Sequence, residues 1–126
     1  MQHCVINAGK VVLAHRNDEL SRIINECGMV NADGQSIVWA AKLLGFKIPE
    51  RVTGIDLMMD LLAVAAAERF PVYFLGASEK AIEAAVSNLR ATFPELLISG
   101  YRHGYWTADQ EPDVVRDIAR VHPKIV

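Results

Sequence analysis

"VNADGQSIVWAAKLLG", residues 30–45, decides how this chain is read. A few apolar residues give way at Asp33 and Gly34 to a helix-forming run, so a short strand hands over to a helix here. Asp33 stands at the junction. As the N-cap of a helix opening at Gln35 it would accept backbone N–H bonds worth roughly 1 kcal/mol. Followed by Gly34, which lets a ligand or a second backbone approach closely, it could equally be a carboxylate at the mouth of a pocket. An unperturbed aspartate pKa of about 3.9 is low for a general base. Burial would have to raise it, and the base could then contribute roughly 10²–10⁴-fold to a rate.

The same alternation runs outward in both directions. Upstream, "HCVI" reads as a strand ending at Asn7. Two helical pieces follow, "KVVLAHR" and "DELSRIINEC", the second capped by Asn17 or Asp18 and stopped by Gly28. Downstream, Gly45 ends the helix of the opening stretch, and the loop "FKIPERVTG" leads into "IDLMMDLLAVAAAERF". Asp56 and Asp60 sit one turn apart in an otherwise apolar wheel, which predicts an almost wholly buried helix. "VYFLG", between Pro71 and Gly76, is a strand rich in aromatic and β-branched residues. "SEKAIEAAVSNLRATF" places Ile82, Val86, Leu89 and Phe93 on one face, with Ser78 as N-cap. The strand "LLISGY", the helix "TADQEPDVVRDIARV" and a final strand-like "KIV" complete the pattern. Strands alternating with helices define an α/β fold with a mostly parallel sheet and helices on both faces, here cut short at its C-terminal end.

Parallel sheets hold their ligands at the carboxyl ends of the strands. Asn7, Asp33, Gly76 and "YRHG" all follow strands directly, so a parallel sheet is expected to gather them on one rim.

Bulk properties narrow the function classes. The 126 residues suit a single domain spanning 1–126, with 52% hydrophobic and 22% charged residues, as in ordinary globular proteins. A net charge of −2 gives no footprint for nucleic acid. Cys4 and Cys27 lack CxxC spacing and no export signal precedes them, which predicts a reducing cytoplasm and idle thiols. The longest apolar run, "LLAVAAA", is too short to span a bilayer, so any membrane role is expected to be peripheral. The four histidines have no metal-ligand spacing, and no Ser–His–Asp or Cys–His arrangement is arguable. Neither a metal nor a cofactor is predicted.

Three further segments carry candidate chemistry. Arg51 in "PERVTG" offers a planar fork suited to a diphosphate, or an ordinary ion pair with Glu50 or Asp56. In "FLGASEKA", Gly76 and Ser78 open a helix whose N–H groups can bind phosphate, although many parallel-sheet turns look alike with nothing bound. In "GYRHGYW", an aromatic such as Tyr105 could stack on a nucleobase and His103 could bond a substrate; partly buried rings in a turn are the plainer account.

Taken in order, "INAGKVVLAHRNDEL", "NADGQSIVWAAKLLG", "PERVTGIDLM", "VYFLGAS" and "GYRHGYW" resemble the WecG/TagA/CpsF family of bacterial glycosyltransferases. The match covers nearly the whole chain as the N-terminal part of the family domain. The resemblance implies a Rossmann-like core and inverting transfer of N-acetylmannosamine, or a related sugar, from a UDP-sugar donor. The implied acceptor is an undecaprenyl-diphosphate-linked sugar, at the cytoplasmic face of the membrane, in cell-surface polysaccharide synthesis. It carries the family's catalytic aspartate onto Asp33, its pocket arginine onto Arg51 and its pocket asparagine onto Asn7, beside the substrate-binding candidates Gly34, Gly76, Ser78, His103 and Tyr105. Two departures stand out. "Val5-Ile6-Asn7" replaces a Thr-x-Asn pattern, and the chain stops at "HPKIV", before a Pro–Lys–Gln-like donor motif and a basic appendage that reaches the membrane. The short chain is therefore expected not to turn over, to associate with the membrane only in a longer form, and to self-associate through its open sheet edge. The alternative is a non-catalytic domain that binds a nucleotide sugar or a partner.

Overall fold

The computed structural model describes residues 1–126. The fold is α/β with parallel strands, as the alternation predicts. The elements in chain order are β1 (His3–Ile6), α1 (Ala8–His15), α2 (Asp18–Glu26), β2 (Met29–Ala32), α3 (Gln35–Leu43), α4 (Gly54–Ala67), β3 (Val72–Leu75), α5 (Glu79–Thr92), β4 (Ile98–Arg102), a 3-10 turn (Ala108–Gln110) and α6 (Glu111–Arg120). The parallel ladders come as two pairs, β1 with β2 and β3 with β4. The chain divides into two compact units, Met1–Met58 and Met59–Val126.

In the first unit β1 and β2 run in register from His3 opposite Met29 to Ile6 opposite Ala32. The polar residues around them are mostly caps. Asn7 Oδ1 accepts from the Lys10 amide (2.9 Å) and opens α1, while Asn17 Oδ1 accepts from the Leu20 amide (2.9 Å) and opens α2. Gly28 does not stop α2 in a left-handed conformation; Cys27 is the C-cap in extended backbone. A Cβ on this glycine would lie 2.5 Å from Cγ of the exposed Met1 side chain, which would have to swing aside. Thr53 opens α4: its Oγ1 accepts from the Asp56 amide (3.1 Å) and its hydroxyl donates to the Asp56 carboxylate. Asp56, which looked out of place on an apolar wheel, is a partner of the cap. Ala32 is the one buried hydrophobic residue of this unit.

The second unit has a true core. Leu62 and Ala65 of α4, three positions apart, pack with Val72 and Leu96, and Phe70, Phe74, Leu89, Phe93 and Ile98 close around them. Ile82 and Val86 of α5 are buried as the helical periodicity predicts, and Ser78 Oγ caps that helix through the Ala81 amide (3.4 Å). The short "KIV" segment pairs as foreseen. Val72 forms a parallel bridge with Ile125, and the Tyr73 amide donates to the Ile125 carbonyl (2.8 Å).

The expectation that α4 is almost wholly buried is wrong. Only Leu62 and Ala65 are buried, whereas Ile55, Leu61 and Val64 are exposed. An apolar wheel buries the face that meets a partner, and here one face does so.

Candidate functional site

Each unit brings a set of the candidate residues together at its strand ends. In the first, the Asp33 amide donates to the Ile6 carbonyl (2.8 Å), which fixes the end of β2 beside the end of β1. Asn7 and Gly34 are thereby neighbours: a Cβ on Gly34 would lie 4.0 Å from Asn7 Cβ. Gly34 has φ +154°, a conformation that side chains other than glycine's rarely adopt. It occupies the N-cap position of α3, and no side chain caps that helix. The capping account of Asp33 therefore fails. Its carboxylate accepts no hydrogen bond from the rest of the chain, and the residue is half-buried, facing the start of α4 closely enough that a Cβ added to Gly54 would lie 3.9 Å from Asp33 Oδ2. The Val52 amide donates to the Ala32 carbonyl (3.1 Å) and ties the Arg51 loop to the same strand end. Arg51 is exposed and forms no ion pair. The pairing with Glu50 or Asp56 does not occur; Asp56 is bonded to Thr53 instead.

In the second unit Gly76 follows β3 with φ +140°, the counterpart of Gly34 after β2. Its amide donates to the Arg102 carbonyl (3.0 Å), and the Gly104 amide donates to the Ala77 carbonyl (2.9 Å). The turn leading to Ser78 is thus latched to the "YRHG" turn. His103 Nδ1 accepts from the Tyr105 amide (3.2 Å), and the Tyr105 ring stands 75% exposed, open to stacking. Ser78 Oγ, already taken by its cap, has less freedom toward a ligand than its position suggested.

Sequence reasoning missed a cleft of about 250 Å³ lined by Tyr73, Glu79, Glu83, Tyr101, His103 and the Arg102–Asp117 ion pair (2.8 Å). Burial pushes the Tyr73 hydroxyl above its usual pKa, and the nearby Asp117 carboxylate pushes it the same way. The i, i+4 spacing of Glu79 and Glu83 was available as a signal. The pairing of Arg102 with a residue fifteen positions away was not.

Parallel strand–helix units with polar groups at the strand ends define the class of α/β folds that hold ligands at the carboxyl ends of their strands. Comparison with known proteins makes this particular. The chain matches the family described as "Glycosyl transferase WecG/TagA/CpsF family" over residues 1–126, and it belongs to that family. Among similar proteins is the N-acetylglucosaminyldiphosphoundecaprenol N-acetyl-beta-D-mannosaminyltransferase of Bacillus subtilis strain 168, 27% identical over 82% of this chain and 40% of its own length. The enzyme of that name from Bacillus spizizenii is 30% identical over 90% of this chain and 43% of its own length. Its Staphylococcus aureus namesake is 32% identical over 75% and 37%. The chain thus spans about two-fifths of the length of these relatives.

Proposed function

We propose that this chain carries the base and part of the donor site of an inverting N-acetylmannosaminyltransferase. The donor is a UDP-sugar and the acceptor an undecaprenyl-diphosphate-linked N-acetylglucosamine, the acceptor the relatives' names specify. The observation that carries the reading is the Asp33 carboxylate: half-buried at a strand end, free of hydrogen bonds, and next to a glycine with no side chain to block an approach.

In the proposed step Asp33 takes the proton of the acceptor hydroxyl as that oxygen attacks the anomeric carbon. The bond from that carbon to the diphosphate oxygen breaks, the pair of electrons leaves with UDP, and a single displacement inverts the centre. Arg51, unpaired and exposed, supplies positive charge to the departing diphosphate. The Asn7 amide NH₂, which the cap leaves free, can donate to the donor sugar. Gly76, Ser78, His103 and Tyr105 are a separate set of substrate-binding candidates on the second unit, where the exposed Tyr105 ring is free to stack on a base. Association with the cytoplasmic membrane face is peripheral, in keeping with helices none of which is long and apolar enough to cross a membrane.

The test is UDP release from UDP-N-acetylmannosamine in the presence of a prenyl-diphosphate-linked N-acetylglucosamine, measured on the full-length chain. Asp33→Ala should lower turnover by about 10²–10⁴-fold while UDP still binds. Undiminished turnover in Asp33→Ala would remove the base. UDP binding without transfer in either protein would favour a nucleotide-sugar-binding domain.

A further inference from the structure

The C-terminal half of α3 and the turn after it make an apolar projection that the transfer reading leaves unused. Trp39, Leu43, Leu44 and Phe46 are 67%, 88%, 72% and 68% exposed. Ile37, Val38 and Ala41, by contrast, are half-buried on the inner side of the same helix. The projection has a defined backbone. Gly45 has φ +83°, and the Phe46 amide donates to the Ala41 carbonyl (2.9 Å), which folds the chain back over the helix end in a Schellman turn. Four large apolar side chains are thus displayed on backbone whose hydrogen bonds are already made.

Charge selects the partner. Lys42 and Lys47 flank the apolar residues, both exposed, and no Asp or Glu occurs from Gly34 to Pro49. A chain of net charge −2 therefore carries a locally cationic, acid-free segment where its apolar side chains protrude. An aromatic ring, aliphatic side chains and lysines around them are the combination that seats a helix in the headgroup region of an anionic bilayer. We infer that the Trp39–Lys47 projection docks this protein on an anionic lipid surface. The inference rests on the transfer reading in one respect only, that the acceptor is lipid-borne. It places membrane contact within this chain, whereas the resemblance placed it in a C-terminal appendage.

The geometry gives the docking a purpose. Asp33 lies just before the N-terminal end of α3 and the projection lies at the other, so the nine-residue helix holds them about 13 Å apart. With the projection seated, Asp33 is held within about a helix length of the surface to which a lipid-borne acceptor is confined.

The experiment is sedimentation of the 126-residue chain with vesicles of phosphatidylglycerol or phosphatidylcholine, with Trp39 fluorescence read in a Trp106→Phe background. Binding to phosphatidylglycerol is expected, with a blue-shifted Trp39 and weakening as salt is raised. Leu43→Ser with Phe46→Ser, checked by circular dichroism to keep the fold, should cut the bound fraction constant at least about tenfold. Lys42→Gln and Lys47→Gln should each cut it about fivefold. Absence of binding, or binding indifferent to these substitutions, overturns the inference. So does a dimer in solution that already shields Trp39 and is dispersed by Leu43→Ser, which would give the surface to a second copy. Asp33→Ala should bind vesicles unchanged, so loss of transfer and loss of docking are told apart.

Discussion

The two units use the same device to different ends. Both end a parallel strand in a glycine at positive φ, Gly34 at +154° and Gly76 at +140°, and both start a helix from it. The second unit buries Leu62, Ala65, Val72, Tyr73, Ile82, Val86, Leu96 and Val114 beneath that rim. The first buries Ala32 and leaves Val12, Leu13, Trp39, Leu43, Leu44 and Phe46 in the open. Burial of apolar surface is the main favourable term in folding. Stability is therefore concentrated in the second unit, and the proposed base sits in the unit that contributes less of it. Exposed apolar surface of that extent marks a contact surface rather than an ordinary exterior.

The sharpest way to break this comparison is a pair of truncations. Leu62→Ala, at a residue 2% exposed, should destabilise the chain by about 2–5 kcal/mol in chemical denaturation. Leu43→Ala, 88% exposed, should stay within about 0.5 kcal/mol. Equal effects would mean the units do not differ as described. Next in size is Gly100→Ala, whose Cβ would meet Tyr73 Cε2 at 2.6 Å. Overpacking there should cost about 1–3 kcal/mol, read as a lowered denaturation midpoint. The two caps give a closer match. Asn7→Ala and Ser78→Ala should each lose about 1 kcal/mol, and calorimetry with UDP-N-acetylmannosamine should show a further loss of donor affinity in the asparagine variant. Stability unaltered in both would deny the caps.

The smallest effect concerns pH. Burial, and then the Asp117 carboxylate, raise the Tyr73 pKa above its ordinary 10.0. The folded state thus holds the phenolic proton more tightly than the unfolded chain does. That contribution is complete below pH 10 and is lost as pH rises through the folded-state value. Thermal melts should be flat in this respect up to about pH 10 and fall beyond it, and Tyr73→Phe should lessen the fall.

What was legible in the sequence follows from how local each signal is. Every helix and strand was visible, because apolar periodicity and the punctuating Gly76, Gly45 and Pro71 act over a few residues. The caps at Asn17 and Ser78 were legible for the same reason. Asp33 was harder, since an aspartate before a helix reads as a cap until backbone shows Gly34 in that place. That Arg51 is unpaired and that Asp56 partners Thr53 are matters of geometry, which no composition reveals. The exposure of α4 was missed because an apolar wheel states what could be buried, and only the neighbours decide what is. The cleft beside Arg102 needed contacts between β4 and α6, whose partners are set by the tertiary fold.

The ladder from β3 to residues 124 and 125 reaches into how the protein is made. Val72 and Tyr73 take one hydrogen-bonded neighbour from β4 and another from Ile125, although the chain supplies these long after β3 itself. During vectorial synthesis β3 has both flanks open until β4 arrives, and the flank taken by Ile125 stays open through α6. Contacts so far apart along the chain close late and slowly. Until residues 124 and 125 arrive, that open flank is a hazard for pairing with another chain.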